Sequence, residues 1–335
     1  MTSYEQDDIG LVAIQPFSWD KLEHKAVMIS GGTGFIGSFI TKVLEYRNKK
    51  YHADIQIISI SRHGNPCPEN GLISLKADIN DRISYDGPVD YILHLASNTH
   101  PKQYAEDPVG TITTNVIGCN NLLAFAKEKH TQRFLLASSV EIYGQGTEVP
   151  MDESYCGYID CNRARSGYNE AKRTCEALCQ SYRQQYGLEC VTVRLARVFG
   201  ADKKQDTKAM SQFMEKAIAG KDIVLHSKGN QRYSYCYVAD AASGILKVLL
   251  DGQDGEAYNI SEDDEGLTLG GYAEHIATLA GKKVVFDFAE DQGASKATYA
   301  LMDCTKIAGI GWKPLYLPCE ALERTYQIYL HRNHS

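Results

Sequence analysis

The residues best suited to chemistry are a tyrosine and a lysine four positions apart, Tyr168 and Lys172, in the run Tyr168-Asn169-Glu170-Ala171-Lys172. On a helix that spacing puts both side chains on one face, one turn from each other. An ammonium beside a phenol stabilises the phenolate, so the pair is suited to taking a proton from an alcohol. Ser138 and Ser139 close an earlier apolar run, QRFLLASS at 132–139, and add hydroxyls. A second constellation is Gly31-Gly32-Thr33-Gly34-Phe35-Ile36-Gly37, between the apolar run Ala26–Ile29 and Ser38, Phe39 and Ile40 at helical spacing. Strand, glycine turn and helix in that order cradle a phosphate. Gly31 permits the tight turn, Gly34 lets a pyrophosphate approach the backbone, and Gly37 lets the helix lie close to the strand. The helix N-terminus then offers free N–H groups to the anion. The spacing is G-x-x-G-x-x-G, not the G-x-G-x-x-G fingerprint, and an ordinary tight turn is the alternative. The Tyr168–Lys172 pair downstream argues against that alternative.

These groups need a scaffold that gathers strand ends. Asp54–Ile60 reads as a second strand, and its end decides the cofactor. An acid there would hold the ribose 2′-OH of NAD, and an arginine would favour the 2′-phosphate of NADP. The strand runs into Ser61, Arg62 and His63 with no acid, which leans towards NADP, with a merely solvated Arg62 as the alternative. Leu72–Leu75 leads to Asp78 and Ile79, where Asp78 either meets the adenine amino group or caps a turn. Asp90–Ser97 is a fourth strand whose small last residues, Leu95-Ala96-Ser97, let backbone approach a cofactor; His94 within it reads as a packed strand histidine. Helices are expected at about 101–107 and 112–129, with Asn115 early in the second. Residues 132–139 deliver Ser138 and Ser139 to the carboxyl end of the sheet, where open α/β folds place chemistry. The helix carrying Tyr168 and Lys172 spans Ser166–Tyr186, and a sixth strand, Glu189–Arg197, leads into Val198-Phe199-Gly200. Beyond it the alternation stops: helices are expected at about 207–219, to Leu250, at 270–280 and at 320–330, with a strand at Arg232–Val238.

Composition narrows the function. The chain has 335 residues, 43% of them hydrophobic, and a net charge of −7 without a basic tract. That is a globular protein whose main partner is not nucleic acid. No stretch approaches a membrane span. None of the ten cysteines forms a C-x-x-C pair or a zinc-like cluster with histidine, so no metal is expected. Free thiols in a reducing cytoplasm are the expected state. Residues 1–24 are expected to strap the domain surface, with a subunit interface or a lid as alternatives.

With these residues in hand, the chain resembles the extended short-chain dehydrogenase/reductase family, in particular its nucleotide-sugar epimerases, dehydratases and decarboxylases. The resemblance covers about residues 26–330 and rests on GGTGFIG at 31–37, Asp78-Ile79, HLAS at 94–97, SSVEIYG at 138–144, YNEAK at 168–172, YVAD at 237–240 and GWKP at 311–314. It implies an α/β fold, a Rossmann-type doubly wound parallel sheet with a smaller C-terminal substrate lobe. In those terms 1–24 is an extension, 25–200 with 232–252 the dinucleotide-binding part, and 201–231 with 253–335 the lobe. It implies catalysis by Ser139, Tyr168 and Lys172, NAD or NADP at the glycine turn, Ser61, Arg62, Asp78, Ile79, Leu95–Ser97, Asn115 and Val198, and a homodimer through helices 112–129 and 166–186. Its reaction passes through a 4-keto sugar that epimerises, loses water or loses CO2.

Details of the motifs select among branches. Glu141, a further catalytic candidate, stands where dehydratases and UDP-glucuronate decarboxylases carry a glutamate; a carboxylate that only orients the site is the alternative. Dehydratases usually have an Asp just before it; Val140 occupies that position and cannot protonate a leaving hydroxyl. The run Arg163–Arg173 looks most like the UDP-glucuronate decarboxylases. Two substrate positions depart from them: the arginine near the sugar is Tyr233, with Arg232 one place earlier, and the asparagine after the sixth strand is Arg197. Arg197 or Arg232 could grip a carboxylate or a phosphate bidentately; Ser97 and Ser139 would also face the substrate. A net NADP-dependent reductase and a non-catalytic nucleotide sensor are the alternatives.

Overall fold

Ala26–Ser30 forms the strand β1, buried at every position. An unbroken apolar strand is what a parallel sheet covered on both faces requires. The computed structural model describes residues 1–64, 71–97, 106–202, 208–262, 266–288 and 298–333. It places β1 within a seven-stranded sheet. Gln56–Ser61 (β2) and Leu72–Lys76 (β3) extend the sheet on one side of β1. Tyr91–His94 (β4), Arg133–Ser139 (β5), Cys190–Leu195 (β6) and Ala257–Ile260 (β11) extend it on the other. All neighbours run parallel. The strand order therefore reverses between β1 and β4, the place where open α/β sheets bind ligands.

Side chains alternate between two apolar layers. Val27, Ile29, Ile57 and Leu135 share one layer with Ile40 and Leu44 of α2 (Phe35–Tyr51). Met28, Ile58, Ile92 and Leu136 share the other with Leu122 and Leu123 of α3 (Pro108–Glu128) and Cys175 and Cys179 of α4 (Ser166–Tyr186). The buried residues of α4 are Tyr168, Ala171, Lys172, Cys175 and Cys179, an inward stripe at helical spacing. The reactive pair thus lies on the face that folding turns towards the sheet.

The sheet is larger than the sequence suggested. Its seventh strand, β11, falls in the stretch expected to belong to the lobe, so the return to the sheet extends to Ile260. The expected strand 189–197 breaks after Leu195. Arg197–Phe199 (β7) leaves the sheet to pair with Tyr235–Tyr237 (β10). The expected strand 232–238 breaks at Ser234, because Arg232–Tyr233 (β9) pairs instead with Tyr299–Ala300 (β13). Ile223–Leu225 (β8) pairs with Val284–Phe286 (β12). Most of the expected helix 101–107, and Cys67, lie outside the described residues. The nine described cysteines are free thiols. Val238–Asp251 (α6) packs on the sheet and on α2, and Ala209–Ile218 (α5), Leu269–Leu279 (α7), Thr305–Gly309 (α8) and Pro318–Asn333 (α9) are the remaining α-helices of the C-terminal part among the described residues.

Residues 1–24 do form a strap. Helix α1 (Ser3–Ala13) starts at a reciprocal cap between Thr2 and Glu5. Its Asp8 is 1% exposed. The carboxylate accepts from the Tyr237 hydroxyl at 2.6 Å, the Tyr316 hydroxyl at 2.7 Å and Arg324 Nε at 2.8 Å. Glu5 pairs with Arg332 at 2.8 Å, and Arg47 of α2 donates to the Ala13 carbonyl. Nearby, two distant motifs meet: the Leu315 N–H donates to Asp240, and Trp312 Nε1 to Ser243 Oγ at 3.1 Å. Asp8→Ala would leave Arg324 and two phenols without their shared acceptor. Removing one partner of a buried ion pair costs roughly 3–5 kcal/mol, and chemical denaturation of the variant should show a loss of about that size.

Candidate active site

Strand β5 ends at Ser139, whose extended backbone caps a short turn, Val140–Tyr143. Its Oγ accepts from the Glu141 N–H at 3.2 Å. Facing this strand end is the inward stripe of α4. Tyr168 is 4% exposed and Lys172 2%. The Lys172 ammonium donates to the Ala137 carbonyl of β5 at 2.9 Å and lies 5.9 Å from the centre of the Tyr168 ring. Asn169, next to the tyrosine, donates to the Glu141 carbonyl at 2.7 Å. Ser139, Glu141, Tyr168 and Lys172 are thereby gathered at the carboxyl end of β5. Ser138 points elsewhere: it is 4% exposed, and its hydroxyl has no hydrogen-bond partner among the described residues.

The glycine turn has the geometry a dinucleotide needs. Gly31 has φ +76°, and a Cβ there would stand 2.9 Å from the Ala96 nitrogen. A Cβ on Gly37 would stand 2.2 Å from the Gly31 carbonyl oxygen. Gly34 caps α2 without a side chain, so the first helical turn, with Phe35 and Ile36, keeps its N–H groups open. A cavity of about 220 Å3 opens beside Thr33, Gly34 and Phe35, with Glu5, Asp202 and Arg332 among its other walls. The glycine turn and the open N–H groups of the first helical turn fit a pyrophosphate, whereas the far walls of the cavity carry the carboxylates of Glu5, Asp8 and Asp202. Leu95, Ala96 and Ser97 follow β4, and Ser97 Oγ donates to Asn115 of α3 at 2.8 Å. Ile79 is buried against Gly118, while Asp78 accepts from the Asn80 N–H at 2.9 Å, which is the turn-capping geometry. Val198 lies in β7, and Ser61 and Arg62 at the end of β2.

Charge concentrates around Glu141. Arg165 approaches its carboxylate at 3.6 Å and Arg197 at 3.8 Å. Both distances are longer than a hydrogen bond, so Glu141 attracts the two guanidinium groups through Coulomb interaction. The Arg197 guanidinium lies 4.1 Å from the Tyr233 ring centre, and its Nη1 has no hydrogen-bond partner among the described residues. The two positions that depart from the family pattern, Arg197 and Tyr233, therefore touch each other. Arg232 opens β9 beside Tyr233. Arg165 and Asn169 escaped the sequence reading as partners of Glu141. Their spacing around Tyr168 was a signal, but nothing local showed that the β5 turn faces them. Among the described residues no group of three or more His, Cys, Asp or Glu could hold a metal ion, and no helix is long and apolar enough to cross a membrane.

Comparison with known proteins agrees with this geometry. Residues 27–261 match the model of the NAD dependent epimerase/dehydratase family. The chain is 32% identical over 300 residues to UDP-glucuronic acid decarboxylase 5 of Arabidopsis thaliana, covering 86% of this chain and 84% of that protein. It is 27% identical over 323 residues to UDP-glucuronic acid decarboxylase 1 of Danio rerio, covering 92% and 73%. In fold it is similar to the Thermus thermophilus UDP-glucose 4-epimerase solved with NAD (TM-score 0.75, 23% identity, 91% and 99% covered). A Bacillus anthracis dTDP-glucose 4,6-dehydratase, also solved with NAD, has TM-score 0.75 at 21% identity, with 92% and 98% covered.

His94 sits behind the site as a packed residue of β4, 1% exposed, with Nδ1 2.8 Å from Ser30 Oγ. Burial pushes its pKa down to about 4, and the Lys172 charge acts in the same direction. The unfolded chain therefore binds this proton more tightly than the folded one. The stability contributed by the neutral ring is present above pH 6.5 and is lost as pH falls towards 4, a loss on the order of 3 kcal/mol. Denaturation curves at pH 7.5 and 4.5 should differ less for His94→Gln than for the parent.

Proposed function

Because the chain belongs to the NAD-dependent epimerase/dehydratase family, we propose that it epimerises or decarboxylates a nucleotide-linked hexose or uronic acid through a 4-keto sugar. The observation that carries this reading is the buried Tyr168–Lys172 pair, held to the Ala137 carbonyl beside Ser139. A nicotinamide dinucleotide, when bound over the glycine turn, would supply the hydride acceptor and donor for sugar C4. The chain supplies the rest. Tyr168 takes the C4 hydroxyl proton, Lys172 stabilises the phenolate, and Ser139 holds the sugar oxygen. A 4-keto uronate is a β-keto acid. Its C5–C6 bond breaks with release of CO2, the electron pair enters the enolate, and a proton then adds at C5. In a hexose the same ketone permits inversion at a neighbouring carbon.

Decarboxylation has the stronger support. Arg165 and Arg197 place two cations beside Glu141, where a sugar carboxylate could be received, and the relatives named above are decarboxylases of UDP-glucuronic acid. Residues 201–231 and 253–335, less the sheet strand Ala257–Ile260, would form the substrate lobe. We also infer a homodimer through α3 and α4, supported by Val109, Ile112 and Ile117 exposed on α3. The free thiols suit a reducing compartment such as the cytoplasm.

Incubation with UDP-glucuronate, UDP-glucose and dTDP-glucose in deuterated water should yield a changed sugar by NMR and mass spectrometry, a pentose deuterated at C5 if CO2 is lost. No product from any of them would overturn the reading. Tyr168→Phe should lower turnover by about 100- to 10,000-fold while calorimetric affinity for the nucleotide sugar stays within a few fold. Light scattering should report about twice the 37.2 kDa chain mass.

A further inference from the structure

Beyond the reaction, the structure points to a binding site for a phosphate on the adenosine ribose: we propose that the carboxyl ends of β2 and β3 select the 2′-phosphorylated dinucleotide through Arg62 and Lys76. The proposal rests on the dinucleotide seat inferred above, and departs from the NAD carried by the family description and the solved neighbours.

Register locates the site. The Gly31 N–H donates to the Ile60 carbonyl at 3.0 Å, so the glycine turn is hydrogen-bonded to the residue just before Ser61. Ser61 is the last residue of β2 and stands opposite Lys76, the last residue of β3. The chain then turns: the Gly64 N–H donates to the Ser61 carbonyl, Gly64 has φ +68°, and Arg62 and His63 are left exposed at the tip. Lys76 is exposed on the neighbouring strand end.

The chemistry of this rim is the reverse of what a ribose diol needs. A free 2′-hydroxyl is held by a carboxylate at the end of the second strand, which accepts from it. From Gln56 to Gly64 there is no carboxylate at all. Ser61 occupies the strand end with a buried hydroxyl that has no hydrogen-bond partner among the described residues. The acid that follows β3, Asp78, already accepts from its own turn. Among the described residues of this rim, what remains are donors and cations, Arg62 and Lys76. A phosphate dianion offers only acceptors and carries the complementary charge, and a guanidinium can meet two of its oxygens at once.

The test needs no turnover. Adenosine 2′,5′-bisphosphate and adenosine 5′-monophosphate are titrated into the full-length protein by calorimetry, after any copurifying dinucleotide has been released and identified by mass spectrometry. The bisphosphate should bind about 10- to 100-fold more tightly, as one or two charge-assisted bonds imply, and the advantage should shrink as salt rises. Arg62→Ala should remove most of it, and Lys76→Ala part of it, with affinity for the monophosphate within twofold of the parent. Equal or weaker binding of the bisphosphate, an advantage that survives Arg62→Ala, or NAD as the copurifying dinucleotide would overturn the proposal. Turnover that persists with NAD in those cases would leave the nucleotide-sugar reading standing. Failure of both probes to bind would count against the seat itself and so against both.

Discussion

A buried ammonium cannot do without an acceptor, and Lys172 finds one in the Ala137 carbonyl. Leaving that charge unpaired in the interior would cost several kcal/mol. The bond therefore sets the position of α4 along β5. Sliding the helix by one residue would withdraw the ammonium from its acceptor and rotate Tyr168 off the buried stripe. The same interaction that secures the helix thus places the phenol at the strand end, beside Ser139. Position and chemistry here have a common cause, and the apolar stripe through Ala171, Cys175 and Cys179 reinforces it.

Around this anchor opposite charges collect on Glu141. Glu141 is drawn towards Arg165 and Arg197 across gaps of 3.6 and 3.8 Å, and its backbone is pinned by Asn169. The Tyr233 ring supports the Arg197 guanidinium from one side, so the cation keeps its place without a tight salt bridge. Held in this way, Arg197 keeps its Nη1, without a partner among the described residues, for an incoming anion. A site with its ion pairs already closed would have to break them first.

Much of the centre of this fold was legible in the sequence because its signals are local. The apolar run, glycine turn and helix at 26–40 follow from backbone sterics, and the Ser166–Tyr186 helix follows from its periodicity and from Gly187 at its end. The partners of these elements were less legible. The run VRLARVF reads as one strand; only the distant Tyr235–Tyr237 and Ala257–Ile260 segments draw its two halves apart. Arg197 was visible as an unusual residue, but its stacking on Tyr233 joins two positions on separate strands. Asp8 looked like one acid among several in a polar terminus. Nothing near it in sequence announces two phenols and a guanidinium contributed from more than two hundred residues away.

That separation bears on how the molecule is assembled. Asp8 and Arg324 are 316 positions apart, so during synthesis the helix bearing the acid emerges long before the residues that complete its surroundings. Until then its carboxylate lacks the phenols and the guanidinium that meet it in the folded chain. Long-range closures of this kind are slow steps, and chains of this size gather through partly organised intermediates. The β1–α2 unit is built from neighbours in sequence, whereas the Asp8 cluster closes only once Arg324 has been synthesised.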